Sequence, residues 1–250
     1  MSTYFDLPTP RVLAHRGLAI DAPENTLLAF ERAADVGAPY VETDVHVSAD
    51  GVAVIAHDPS LSRVAGRAID VSRLTMDELR RVDLGHGQGF AALEEALDAF
   101  PELRFNIDVK VAGAVAPAVS AIQRTRAAPR VLLTSFSEHR RLRLGVLVPE
   151  SVTSAGRRGV ITTRLVSVLG WPAAVGLARR GAAALQIPER VGSFRLVTPR
   201  FVEAVHRAGA EVHVWTVNDP ADMHRLLDLG VDGLVTDRAD LAVPLIASRS

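Results

Sequence analysis

Glu42 and Asp44 lie two residues apart in the apolar run 40–47. In an extended strand such residues face the same way, so the two carboxyls point together. The run reads as a strand buried on both faces. There, two adjacent carboxylates repel and ionising both is costly. Either a cation or an Arg or Lys partner removes that cost. Asp108 lies in a second strand-like run, 104–109, and shares its alternating register with Asn106 and Lys110. A third carboxylate on a neighbouring strand favours the cation. Glu42, Asp44 and Asp108 would offer it oxygen alone, which suits Mg²⁺ or Ca²⁺, and the chain has no cysteine to select a softer metal.

Of the 8 histidines, His206 and His224 fall in helical patterns, His139 near a helix start and His213 in a strand. Each of these reads as surface or satisfied core. His46 shares the register of Glu42 and Asp44, and is either a further ligand or lies beyond the mouth of the site. His15 and His57 differ, because each ends a strand-like run and is followed at once by a charged residue, Arg16 or Asp58. Two imidazoles flanking a metal-bound phosphate supply one proton acceptor and one proton donor near neutral pH. Arg16 offers a planar fork to phosphate oxygens, and Lys110 a point charge. Their alternative is to pair with the carboxylates, and both roles can hold in turn, before and after substrate arrives.

The elements that must position these groups alternate along the chain. Strands are expected at 11–14, 40–47, 104–109, 130–134, 152–154, 183–187, 211–216 and 231–235. Helices are expected at 25–36, 114–126, 138–144, 164–179, 199–208 and 220–229, with the chain closing from 240 onward. An additional strand at 52–56 follows a tight reversal at Asp50-Gly51. Strict alternation implies parallel strands joined by right-handed crossovers, and eight such units close best into a (β/α)8 barrel. An open doubly wound sheet is the alternative, but no Gly-rich turn follows the first strand to bind a dinucleotide. The irregular stretch 59–91, with a short helix at 75–82 and the glycine-rich loop 85–89, reads as an insertion in the connection after the second strand. On a barrel such a connection belongs to the catalytic face, where His15, Glu42, Asp44, His57, Asp108, Trp215 and Asp237 all gather.

Composition narrows the function. The 250 residues suit one barrel domain, and no composition break divides them. Lys plus Arg is 28 against 29 for Asp plus Glu, a balance that argues against a nucleic-acid binder. The absence of cysteine excludes disulfides, thiolate nucleophiles and Cys-ligated metals, and fits a cytoplasmic protein. The first ten residues contain no apolar run and do not read as a signal peptide. The longest apolar stretch, 166–178, contains Trp171-Pro172 and is closed by Arg179 and Arg180; it is too short for a transmembrane segment. It reads as a soluble helix, with a membrane surface as the alternative.

In order, Leu13-Ala14-His15-Arg16-Gly17, Pro23-Glu24-Asn25-Thr26, Val41-Glu42-Thr43-Asp44-Val45, Asp50-Gly51 and His57-Asp58 resemble the glycerophosphodiester phosphodiesterase family. Weaker echoes extend through Asn106-Ile107-Asp108-Val109-Lys110, Val214-Trp215-Thr216-Val217-Asn218 and the stretch 230–237, so the resemblance spans almost the whole chain. A lone His-Arg-Gly carries little; the ordered set is specific. The resemblance implies a (β/α)8 TIM barrel, one divalent cation, a small glycerophosphodiester substrate, and hydrolysis to glycerol 3-phosphate and an alcohol. It gives His15 and His57 the acid and base roles and makes Glu42 and Asp44 metal ligands. Arg16 becomes a phosphate-binding residue, Glu24 and Asn25 loop residues beside the site, and Trp215 an aromatic of the substrate pocket.

One departure matters. The family usually has Glu where this chain has Asp108, one methylene shorter, so a cation must shift toward that strand or recruit a water. Venom sphingomyelinase D enzymes are similar to the family and also place an Asp there. A lysophospholipase D or sphingomyelinase D type of lipid phosphodiesterase is therefore the second reading, and a broad apolar mouth would distinguish it. A non-catalytic barrel that binds phosphorylated ligands is the third. It would have lost a histidine or carboxylate, and none is lost beyond the exchange at Asp108. The Pro-Thr-Leu often seen before the helix carrying Glu94-Glu95 is replaced by Phe90-Ala91-Ala92-Leu93. The oligomeric state is not written in the sequence.

Overall fold

The computed structural model of the chain describes residues 2–168 and 172–249. Its strands are β1 (Arg11–His15), β2 (Tyr40–Val47), β3 (Ala53–Ile55), β4 (Arg104–Val109), β5 (Val131–Thr134) and β6 (Val152–Thr153). They continue with β7 (Ala184–Pro188), β8 (Arg190–Val191), β9 (Phe194–Arg195), β10 (Glu211–Trp215) and β11 (Gly233–Thr236). Eight of them form one parallel sheet in the order β6-β5-β4-β2-β1-β11-β10-β7. Its two ends meet. Ala183 N donates to Thr153 O at 2.8 Å and Ala155 N to Ala184 O at 2.9 Å, which closes the sheet into a barrel.

Alternation along each strand builds two layers. Val12 and Ala14, Val41 and Val45, Phe105, Ile107 and Val109, and Val212 and Val214 face outward into one buried cluster with the surrounding helices. The other register faces inward, where Leu13, Tyr40, Leu132, Ala184 and Val235 pack around Tyr4. The first residues thus plug the floor of the barrel: Tyr40 Oη donates to Tyr4 O at 2.8 Å and Arg11 Nη1 to Tyr40 Oη at 2.7 Å. Glu211 then holds Arg11 by two bonds, 3.0 and 2.8 Å. Filling the floor with side chains leaves the opposite end, at the C-terminal tips of the strands, for chemistry.

The helices start where side chains satisfy their first free N–H groups. Thr26 caps Leu27–Asp35, Ser137 caps Glu138–Leu147, Thr198 caps Pro199–Arg207 and Asp219 caps Pro220–Asp228. Of the helix expected over 164–179, the described residues form Arg157–Val168 and Pro172–Ala178. Trp171 lies outside the described residues. The strand expected from Arg130 begins one residue later, because Ala128–Arg130 forms a 3₁₀ turn.

β3 pairs antiparallel with β2, Val45 opposite Ile55, so the Asp50-Gly51 reversal makes a hairpin and returns His57 to the barrel mouth. From there to the helix Leu93–Ala99 the chain forms two short helices, Ser62–Ala65 and Met76–Arg80, over a separate buried cluster that includes Leu61, Met76, Leu79 and Phe90. The antiparallel pair β8–β9 was not legible in the sequence. Among the described residues, no helix is long and apolar enough to cross a membrane.

Candidate active site

Strand register brings the polar groups together at the barrel mouth. His15 stands opposite Glu42, Glu42 opposite Asn106, and Asp44 opposite Asp108. Lys110 Nζ lies between the last pair, 2.7 Å from Asp44 Oδ1 and 2.7 Å from Asp108 Oδ2. The other oxygen of Asp44 takes a bond from Asn25 Nδ2 at 3.1 Å and faces Arg16 Nε at 3.3 Å. Buried carboxylates need a counter-charge, and here Lys110 and Arg16 provide it.

Arg16 reaches this position through backbone in the left-handed region, φ 58, as does Asn25, φ 56. Such backbone costs on the order of 1–3 kcal/mol per residue and persists only where the surroundings hold it. Arg16 N donates to Glu42 O at 2.9 Å, and Asn25 N to Arg16 O at 2.9 Å. Gly17 follows at φ 84, and a Cβ there would fall 2.6 Å from the backbone carbon of Ala29. Only glycine fits this approach of the loop to the first helix.

Each of the two strand-end histidines has a carboxylate on its inner ring nitrogen. His15 Nδ1 lies 2.6 Å from Asp237 Oδ1. Asp237 is itself fixed by Asn218, whose Nδ2 donates to Oδ2 at 2.7 Å and whose Oδ1 accepts from the Asp237 N–H at 2.9 Å. His57 Nδ1 lies 2.7 Å from Asp58 Oδ1. Arg63 Nε donates to Asp58 Oδ2 at 2.5 Å and Arg63 Nη2 to Glu24 Oε1 at 2.5 Å. Arg16 Nη1 reaches the same Glu24 oxygen at 3.0 Å. A carboxylate on Nδ1 fixes the tautomer and leaves Nε2 for proton transfer. His46 is placed differently, with its Nε2 3.2 Å from the His57 carbonyl, and burial lowers its pKa.

Burial, and next the charge of Asp44, raise the pKa of the Glu42 carboxyl. Burial also raises Asp108, although the Lys110 ammonium opposes it. Burial works against the charge on Lys110, yet Asp108 and Asp44 outweigh it and its pKa is raised. For His15, burial disfavours the imidazolium, but the Asp237 bond and the Glu42 charge overcome it and the pKa lies above the ordinary histidine value. The bond to His15 is also the main reason that Asp237 lies below the usual carboxylate range.

His15, Arg16, Glu42, Asp44, His57, Asp108, Lys110 and Trp215 all line one cavity of about 700 Å³. Glu24, Asn25, Asp58, Arg63 and again His57 line a smaller neighbour of about 180 Å³. The mouth of the larger one has an apolar wall of Phe136, Ile161, Leu165, Val191, Phe194 and Trp215. Among the described residues, no three His, Asp or Glu side chains are arranged to share one ion, and Lys110 lies between Asp44 and Asp108. The donor chemistry nevertheless fits a hard cation. Asp108 Oδ1 and Asn106 Oδ1 are buried without a hydrogen-bond partner, and the ligands on offer are oxygens.

Sequence reasoning placed Asp237 at the mouth and Asp58 beside His57 without giving either a role, and it missed Asn218 and Arg63. Asp58 had a signal, being adjacent to His57. Asn218 appeared only within the motif echo 214–218, and Arg63 had no signal for its bond to Glu24, 39 residues away.

Residues 15–241 match the glycerophosphoryl diester phosphodiesterase family. A Mycobacterium tuberculosis protein named probable glycerophosphodiester phosphodiesterase 2 is 42% identical over 239 residues, covering 95% of this chain and 90% of its own. The crystal structure of glycerophosphodiester phosphodiesterase from Agrobacterium tumefaciens superposes with a TM-score of 0.77 at 26% identity, covering 95% of this chain and 99% of that one. An Oleispira antarctica phosphodiesterase, solved with the product sn-glycerol-3-phosphate, shares the fold with a TM-score of 0.82 at 24% identity, over 99% and 100% of the two chains.

Proposed function

The chain belongs to the glycerophosphoryl diester phosphodiesterase family, and we propose that it hydrolyses glycerophosphodiesters to glycerol 3-phosphate and an alcohol by a two-histidine mechanism. One observation carries the reading: two imidazoles, each with a carboxylate on Nδ1, face one cavity that also presents Arg16 and Lys110. Arg16 and Lys110 bind the phosphate oxygens, leaving their carboxylate partners as the diester arrives. The glycerol 2-hydroxyl attacks phosphorus while one histidine accepts its proton. The other protonates the alcohol oxygen as its bond to phosphorus breaks. A cyclic phosphate results, and water opens it with the two histidines exchanging roles. Glu24 and Asn25 position Arg16 and Asp44, and Trp215 flanks the alcohol group. Glu42, Asp44 and Asp108 would hold one divalent cation, Mg²⁺ or Ca²⁺, which supplies charge neutralisation at the phosphoryl oxygens when bound. We read residues 1–250 as one such barrel domain, with 59–91 an insertion that supplies Arg63 behind His57.

The test is turnover of glycerophosphocholine and glycerophosphoethanolamine, with and without Mg²⁺ or Ca²⁺, by the wild type and His57→Ala. Glycerol 3-phosphate should form, and the variant should lose at least about 10²-fold. A His57→Ala enzyme with near-normal turnover refutes the mechanism. A second reading, a lipid phosphodiesterase of the lysophospholipase D kind, is favoured by the apolar wall of the mouth. Lysophosphatidylcholine distinguishes it: preference for that substrate, with the phosphate retained on the acylated product, would replace the first reading.

A further inference from the structure

The rim of the large cavity exposes apolar side chains in a group. Ile161 and Leu165 on the helix Arg157–Val168 are 49% and 66% exposed, and Val191 and Phe194 on the β8–β9 hairpin 61% and 56%. All four line the mouth. In the hairpin Val191 pairs with Phe194 at the tip, and Arg190 pairs with Arg195 directly behind. Like charges opposite each other destabilise an antiparallel pair, and a two-stranded ribbon in water is marginal at best. The nearest carboxylate does little to help. Glu189 lies 3.8 and 3.6 Å from the two Nε atoms and is already gripped by Arg225 at 3.1 and 2.8 Å. Arg164 stacks on the exposed Phe194, 5.2 Å from its centroid, and adds a further cation at the tip.

Charge is concentrated here. Residues 157–200 hold eight arginines against one carboxylate, Glu189, in a chain whose formal net charge is −1; Arg179 and Arg180 precede β7 at the other end of the barrel, and the remaining six lie on the elements of the mouth. Apolar tips backed by guanidinium groups suit an anionic lipid surface. The tips enter the acyl boundary, and the arginines meet headgroup phosphates. A second copy of this rim would bring arginines against arginines. We propose that the rim formed by Ile161, Leu165 and the β8–β9 hairpin docks the protein on an anionic lipid bilayer, with the mouth of the cavity opening onto the membrane. The docking does not depend on which diester is cleaved.

The experiment is co-sedimentation of the full chain with vesicles of phosphatidylcholine alone or mixed with phosphatidylglycerol, at low and high salt. The wild type should bind the mixed vesicles, and salt should weaken that binding. Arg190→Ser and Arg195→Ser should each lower the partition coefficient about fivefold, the equivalent of about 1 kcal/mol per basic residue at such a surface. They should leave turnover of dissolved glycerophosphocholine and the melting temperature unchanged. Phe194→Ser should cost at least about tenfold in partitioning. Absence of binding to the mixed vesicles, or binding that all three substitutions leave intact, overturns the proposal. So does light scattering, without vesicles, that finds a dimer which Phe194→Ser converts to monomer, because the rim would then be a self-interface.

Discussion

Replacing Asp237 with Asn keeps the shape at the mouth and changes only what His15 meets. Asp237 Oδ1 lies 2.6 Å from His15 Nδ1, and Oδ2 accepts from Asn218 Nδ2 at 2.7 Å. An Asn side chain keeps the Asn218 bond only with its oxygen on that side, so its amide nitrogen turns to His15. The amide then donates to Nδ1, and the ring proton moves to Nε2, the atom that must accept a proton from substrate. The imidazolium also loses its counter-charge. General acid–base catalysis contributes about 10²–10⁴-fold, and the same exchange beside a serine protease histidine costs about 10⁴-fold. Asp237→Asn should therefore lower kcat by about 10²–10⁴-fold. KM should change little, since Asp237 sits behind His15 and Arg16 and Lys110 hold the phosphate in this mechanism. Asp237 is half-exposed, so the melting temperature should shift by no more than a few degrees. Steady-state kinetics on glycerophosphocholine, with thermal unfolding of the same preparations, make the measurement. A folded Asp237→Asn enzyme with kcat near that of the wild type would refute the orienting role of the carboxylate.

Asp108→Glu should keep much of the activity and Asp108→Ala should lose it, as measured by turnover in Mg²⁺ or Ca²⁺; full activity in the Ala variant would remove Asp108 from the site. Chelation should abolish turnover, and saturating Mg²⁺ or Ca²⁺ should raise the wild-type melting temperature, by the equivalent of about 2.7 kcal/mol at one hundred times Kd. A melting temperature that neither ion moves would count against the ligand set. Gly17→Ala should cost at least about 2 kcal/mol, from the left-handed backbone and the clash with Ala29, and chemical denaturation checks it. Glu211 tests the floor of the barrel. Burial opposes its ionisation, but Arg11 and His213 outweigh this and bring its carboxyl from 4.5 to about 2. A folded pKa below the unfolded one stabilises above the unfolded value and loses that contribution as pH falls. Up to about 3 kcal/mol should disappear between about pH 4.5 and 2. Urea unfolding across that window should be flatter for Glu211→Gln, and an equally steep loss would show that other groups set the acid limit.

The eight-strand alternation, the buried pair Glu42 and Asp44, and the strand-end positions of His15 and His57 were all legible in the sequence. Each rests on local physics: side chains two apart on a strand share a face, and apolar runs between helical patterns mark parallel strands. Gly17 was readable only as part of a motif; its reason, the approach to Ala29, required the packed first helix. Other features came from contacts between segments far apart in the chain. Asn218 orders Asp237 across 19 residues, and Arg63 reaches Glu24 across 39. The sequence favoured a cation for the three carboxylates, with a basic partner as the alternative, and tertiary packing set Lys110 between Asp44 and Asp108. It also set Arg190 against Arg195 at the cavity rim. Periodicity decides which face a side chain takes. Only closure of the barrel decides which faces meet, because charge balance in a buried site depends on distances between strands that no local pattern encodes.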